Sequence, residues 1–209
     1  MKDLEFKGIE DPKVELNFKI LRDEITRIED EYLKRVHEPI YWDDQQVVPS
    51  SVRLPAANAP TWAGYKGSQI LVFSASATNR IYFSAQLSHA YQEGADIDFH
   101  IHIIHGNNLT LNSVWVFGYS WANVGDVFPS QTTVSLTNAA PGVTDKHQYV
   151  DFGSISGAGK KISSILLCEL YRDGTDAGDT FPNNIGLVGL DFHIKKNSIG
   201  SLQETVKGI

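Results

Sequence analysis

Cysteine is nearly absent from this 209-residue chain; Cys168 is the only one. An intrachain disulfide is therefore impossible, and a thiolate zinc site is excluded in practice. Within the apolar run "SSILLCEL" the predicted state of that thiol is buried and inert, and the expected place of synthesis is a reducing cytosol. Long apolar runs are also missing. None approaches 18 residues, which excludes a helical membrane span, and the opening "MKDLEFKGIEDPK" lacks the apolar segment of a signal peptide. Basic residues are in deficit: 18 Lys and Arg stand against 25 Asp and Glu, for a net charge of −7. That balance argues against nucleic acid or an anionic membrane as a partner, because both need clustered cations. Charge of either sign becomes scarce beyond residue 40. Residues 1–40 carry 19 of the 43 charged side chains and the other 169 residues share 24, which marks a boundary. A hydrophobic fraction of 42% is enough for one domain with a sizeable core.

The charged region has a regular apolar stripe. Val14, Phe18, Leu21, Ile25, Ile28 and Tyr32 follow one another at spacings of 4, 3, 4, 3 and 4, the heptad alternation of a coiled coil. Phe18, Ile25 and Tyr32 take a positions; Val14, Leu21 and Ile28 take d. Arg22, Asp23, Glu24, Arg27, Glu29, Asp30 and Glu31 form the solvated remainder. A lone amphipathic helix packed on its own domain would need a wider stripe, so self-association is the expectation. Ile at both an a and a d position favours three or more helices over two. The interface residues predicted here are Phe18, Leu21, Ile25, Ile28 and Tyr32, within an attachment region spanning 1–38.

Pro39, Pro49, Pro55 and Pro60 punctuate residues 39–60. At that density a helix cannot continue, and a proline-rich connector is expected. From there to residue 209 the text changes to short β-rich runs separated by Gly, Asn, Asp and Pro. Strands are predicted at "SQILVFSAS", "NRIYFSAQLSH", "DIDFHIHII", "SVWVFGYSWA", "TTVSLTN", "HQYVDFGSI", "ISSILLCELYR" and "IGLVGLDFHIKK". Eight such runs with no helix between them describe a mainly β head over 61–209, an antiparallel β-sandwich of jelly-roll type, preceded by the N-terminal α-helical coiled coil.

One stretch of this head looks like chemistry. "DFHIHIIHG" puts three of the seven histidines within six residues. Alternation is strict: Ile97, Phe99, Ile101 and Ile103 point one way, and Asp96, Asp98, His100 and His102 the other. The apolar set claims the core, together with Phe117 and Leu190, so His100 and His102 belong on the outer face. The text "DFHI" returns at Asp191–Ile194, with Asp191 and His193 outward. A cupin-like metal enzyme is one reading, since Gly94, His100 and His102 match the opening of a first cupin motif. The glutamate of that motif is missing, Gly106, Asn107 and Asn108 standing in its region, and cupin histidines face the barrel interior. His-x-His on a strand does place two imidazoles within reach of one metal; His100, His102 and His193 are candidates for an ion site between subunits. The reading preferred from the sequence is a subunit interface over His100 and His102, with no catalytic residue and no cofactor.

Other patterns carry less. No Gly-x-Ser-x-Gly elbow singles out a nucleophile. "GSISGAGKK" lacks the full spacing of a phosphate loop and the Ser or Thr after its first Lys, so a hairpin turn is predicted. Trp115 and Trp121 share a strand face and are assigned to core or interface; Trp42 and Trp62 are available as sugar platforms.

The segments "YWDDQQVVPSS", "PTWAGYKGSQILVFSAS", "EGADIDFHIHII", "GYSWANVGDVFP" and "FGSISGAGKKISSILLCELYRDGTDAGDT" together resemble a widespread group of tailed-bacteriophage virion structural proteins, over about residues 41–200. None of these pieces is a catalytic motif, so the resemblance assigns no site residue. It implies a non-enzymatic virion component assembled in the host bacterial cytoplasm: a capsid decoration, head fibre, or neck or tail appendage that contacts other virion proteins through the N-terminal region. The virion-appendage architecture implied by the resemblance narrows the three or more helices of the coiled coil to a homotrimer. A carbohydrate-binding adhesin of the same architecture, with a host surface glycan as partner, is the alternative. The cupin-like enzyme stands third.

Overall fold

The period-two runs form strands because one face of each is apolar enough to be buried and the other is not. A computed structural model describes residues 12–37, 40–204 and 206–207. In chain order the elements are α1 (Pro12–His37), β1 (Tyr41–Val47), β2 (Thr61–Tyr65), β3 (Ser68–Phe73), β4 (Thr78–Gln86), β5 (Ile97–His105), β6 (Asn112–Ala122), β7 (Thr132–Ala139), β8 (Gln148–Ile155), β9 (Ile165–Asp173) and β10 (Ile185–Lys196). The chain divides into two units between residues 39 and 40.

In the first unit α1 is a single helix, and the described residues hold no second α-helix to pair with it as the expected coiled coil would. Phe18, Leu21, Ile25, Ile28 and Tyr32 are all exposed, from 41% at Phe18 to 65% at Tyr32. Arg27 bridges Glu24 and Glu31 along the polar side. Residues 1–11 and 38 of the expected attachment region, and the side chain of Val14, lie outside the described residues.

The second unit is mainly β, two antiparallel sheets face to face. One has the order β2-β3-β10-β5-β8, with β1 also paired to β10; the other has the order β4-β9-β6-β7. A bulge lets β10 serve several neighbours. Leu187 pairs with Ile103 and Gly189 with His102, leaving Val188 extra, and the inward set changes parity across it. Ile185 and Leu187 are buried before the bulge; Leu190, Phe192 and Ile194 are buried after it. A second bulge lies in β8, where Gly153 takes a φ of 82°.

Aromatic packing joins the sheets. Phe99 stacks on Phe117 with ring centroids 3.9 Å apart, and Phe83, Phe152 and Phe192 pack around that pair. Ile97, Phe99, Ile101, Phe117 and Leu190, predicted for the core, are all buried there, as are Trp115 and Trp121. Burying each side chain of this size stabilises the fold by roughly 1.5–3 kcal/mol. Cys168 is buried too, and burial pushes its thiol pKa up.

An ion pair is also fully buried in this unit. The Arg172 guanidinium donates from Nη2 to Asp179 Oδ1 (2.6 Å) and from Nε to Oδ2 (2.8 Å). It also donates to the carbonyls of Phe181 and Asn183. Asp179 Oδ2 accepts a further bond from the Val114 N–H. Both side chains are 0% exposed.

Two expectations change. Residues 39–60 are not wholly a connector: β1 pairs with β10 over seven residues. The strand ends before Pro49, and its extended backbone agrees with the conformation that prolines at this density favour. "GSISGAGKK" is not a hairpin turn either, because β8 and β9 lie in different sheets. It crosses between them, held where Lys160 Nζ donates to the Trp121 carbonyl and Gly157 N–H to Asp96.

Candidate functional site

The two copies of Asp-Phe-His-Ile lie side by side. Because β5 and β10 run antiparallel, Phe99 pairs with Phe192 on the inner face, while His100 pairs with Asp191 and Asp98 with His193. On the outer face β1 sets Asp44 beside His193 and Gln46 beside Asp191. On the other side β8 sets Asp151 beside His100 and Tyr149 beside His102. A polar row therefore runs across four strands, each member placed outward by the same pleat that sends its neighbours into the core.

His100 is on that outer face but is only 1% exposed. The Tyr149 ring lies 4.4 Å from its ring and the His193 ring 4.1 Å. This corrects the expected subunit interface over His100, because its own chain already covers it. His102 is half-buried, with a side chain 24% exposed. Its Nδ1 is 2.7 Å from His147 Nε2. Its Nε2 lies 3.6 Å from Asp191 Oδ1, the same oxygen that His100 Nε2 abuts. Asp191 is 4% exposed. Asp191 Oδ1 and His100 Nδ1 both lack a hydrogen bond of proper geometry among the described residues. Burial pushes the His102 pKa below its ordinary value and the Asp191 carboxylate opposes that shift. Burial raises the Tyr149 pKa, and Asp151 reinforces it.

One donor atom from each of His100, His102 and Asp191 lies within 4.8 Å of the other two. His193, expected among the ion ligands, is turned to Asp44 instead, with Nε2 to Oδ1 at 3.1 Å. Asp191 takes its place. His100 and His102 face away from the space between the sheets, unlike the interior histidines of a cupin. His105 contributes nothing here: it is fully buried against Phe181, and neither ring nitrogen has a hydrogen-bond partner among the described residues.

Beside the histidines the face is open. A depression of about 420 Å³ is lined by Trp42, Asp43, Asp44, Asp98 and His193. Trp42 is 56% exposed; its ring meets the edge of His193 at 6.3 Å, and Lys195 Nζ lies 5.1 Å from the ring centroid. Sequence reasoning missed Asp44, His147 and Tyr149. The signal was present as alternation in "YWDDQQV" and "HQYVDF", but neither shows which strands pair.

No family model matches the chain, and no curated protein matches it. Solved structures that it resembles include a family 35 carbohydrate-binding module from an environmental isolate, at 11% identity and a TM-score of 0.40, covering 73% of this chain and 92% of that one. A Clostridium thermocellum xylanase chain of CBM22-1 and GH10 modules, solved with xylohexaose, gives 11% identity and a TM-score of 0.43, covering 74% of this chain and 28% of that one. A xylan-binding domain from Paenibacillus barcinonensis gives 9% identity and a TM-score of 0.41, covering 75% and 99%.

Proposed function

We propose that the chain is a non-enzymatic glycan-binding protein whose β-sandwich takes an uncharged polysaccharide on the outer face of its larger sheet. The observation that carries this reading is the Trp42 depression. An exposed indole supplies a flat apolar platform for the C–H face of a sugar ring. Asp43, Asp44 and Asp98 supply acceptors for hydroxyl protons, and the His193 imidazole adds a further polar group. Three carboxylates and a net charge of −7 disfavour uronic or sialic acids and select neutral sugars. The test is an array of neutral and acidic polysaccharides probed with the full chain, followed by affinity electrophoresis of Trp42→Ala. Retention by a neutral polysaccharide and a loss of about tenfold or more in the variant support the reading. Binding unaffected by Trp42→Ala, or selective for acidic glycans, overturns it.

A second reading, a tailed-phage virion structural protein that self-assembles through its N-terminal region, is favoured by the exposed stripe on α1. Leu21, Ile25, Ile28 and Tyr32 present apolar area to solvent along one narrow line, which parallel helices would bury. A trimer in light scattering that becomes monomeric in Leu21→Glu/Ile28→Glu supports this reading; a monomeric full chain removes it. Both readings hold together if trimerisation makes a weak glycan site multivalent.

A further inference from the structure

We propose that His100, His102 and Asp191 of a single chain form a binding site for one divalent first-row transition ion, of which zinc(II) is the probe. Two imidazoles converge on one oxygen of a buried carboxylate, and no Lys or Arg among the described residues pairs with that carboxylate. A carboxylate removed from water needs a compensating cation. Here the two groups nearest to it both present nitrogens that can be metal ligands.

The spacing fits an ion. The 3.6 Å between His102 Nε2 and Asp191 Oδ1 is the separation of two ligands each about 2.1 Å from a metal at an angle of roughly 120°. His100 Nε2 abuts the same oxygen, so the ion opens that contact and leaves the His102 spacing as it is. His147 completes the arrangement. When His102 Nδ1–H donates to His147 Nε2, a pairing the 2.7 Å separation permits, Nε2 of His102 is left as a lone pair directed at the site. This is how histidine ligands are oriented in metal centres.

Two nitrogens and one oxygen suit zinc, copper, nickel or iron and not calcium or magnesium. Three protein ligands leave at least one coordination position open. His102, the least buried of the three, places that position toward solvent. The ion belongs to one chain, unlike an ion held on a threefold axis. It does not depend on the glycan reading, because Trp42 and the depression contribute no ligand.

The test uses the full chain stripped with a chelator and titrated by calorimetry with zinc(II), then with cobalt(II) for its visible spectrum. One equivalent per chain and cobalt bands of low-symmetry coordination are expected. His102→Gln and Asp191→Asn should each weaken zinc binding by more than about tenfold. His147→Ala, which keeps all three ligands, should weaken it by about tenfold through lost orientation. His193→Gln should bind within about threefold of the parent, because His193 is held by Asp44 and is no ligand. Circular dichroism in chelator establishes that each variant is folded; among the three ligands, half-buried His102 is the substitution least able to disturb packing. No saturable equivalent, one equivalent per three chains, undiminished binding by folded His102→Gln, or equal losses in His193→Gln and His102→Gln overturns the proposal.

Discussion

Arg172–Asp179 and His100–His102–Asp191 are two buried polar groups in one sandwich, built to opposite standards. Both aspartates are almost sealed from solvent, at 0% and 6% side-chain exposure. Asp179 has a guanidinium fork on its two oxygens and a backbone N–H besides. The same arginine closes two carbonyls of the segment leading to β10. Among the described residues Asp191 has imidazoles alone as charged partners, and one of its oxygens is without a hydrogen bond of proper geometry. The difference teaches how to tell structural from functional burial. A charge kept for folding is satisfied in every direction, because a partly satisfied network is worse than an apolar core. A charge left incomplete where folding gains nothing from it points to a partner that is not a side chain.

The largest effect should come from breaking the complete network. Arg172→Met removes the cation and leaves the Asp179 carboxylate buried without compensation. A loss of about 3–5 kcal/mol is expected, read as a lower midpoint in urea. Arg172→Met/Asp179→Leu should recover part of it and not all, since the carbonyls of Phe181 and Asn183 also lose their donor. A single variant that loses less than about 1 kcal/mol would mean the network is ornamental, and the comparison would fail at its first member.

His105 gives a smaller, pH-dependent effect. Burial, with Arg172 adding to it, pushes its pKa down to about 4, below the unfolded value near 6.5. Between those values the unfolded chain binds the proton and the folded chain does not, so stability rises with pH across that window. The contribution is complete above about pH 6.5 and is lost as pH falls toward 4, amounting to at most about 3 kcal/mol. His105→Phe should flatten this part of the stability profile. An unchanged slope between pH 6.5 and 4 in that variant would locate the acid sensitivity elsewhere.

The sequence made one half of this comparison visible and hid the other. The face of His100 and His102 followed from period two alone, because Phe99 and Ile101 between them had to be inside. The repeat of "DFHI" marked both halves of the site without showing that they pair. Pairing depends on strand order, which long-range register decides and local alternation does not. β1 lay within the segment read as a connector, and Asp44, the group that diverts His193, was missed with it. Arg172 sat in "ELYRDG", where it reads as the polar end of a strand. Its burial depends on Asp179 returning seven residues later, a loop geometry with no periodic signal.

The smallest effect separates the two sites most sharply. In chelator, Asp191→Asn removes a charge that has no strong cation to lose, so its stability should equal the parent's or exceed it by about 1 kcal/mol. Asp179→Asn in the same buffer should lose several, because it strands a buried guanidinium. Adding zinc(II) should then reverse the order at the first site. The parent gains RT ln(1 + [L]/Kd), about 2.7 kcal/mol at one hundred times Kd, while Asp191→Asn gains little. Two outcomes would dissolve the contrast. If Asp191→Asn costs several kcal/mol in chelator, an imidazolium already compensates the carboxylate and the cluster is a structural ion pair. If zinc stabilises parent and variant alike, the ion binds elsewhere. A sign change between chelator and zinc is the result that only an incomplete, metal-ready cluster produces.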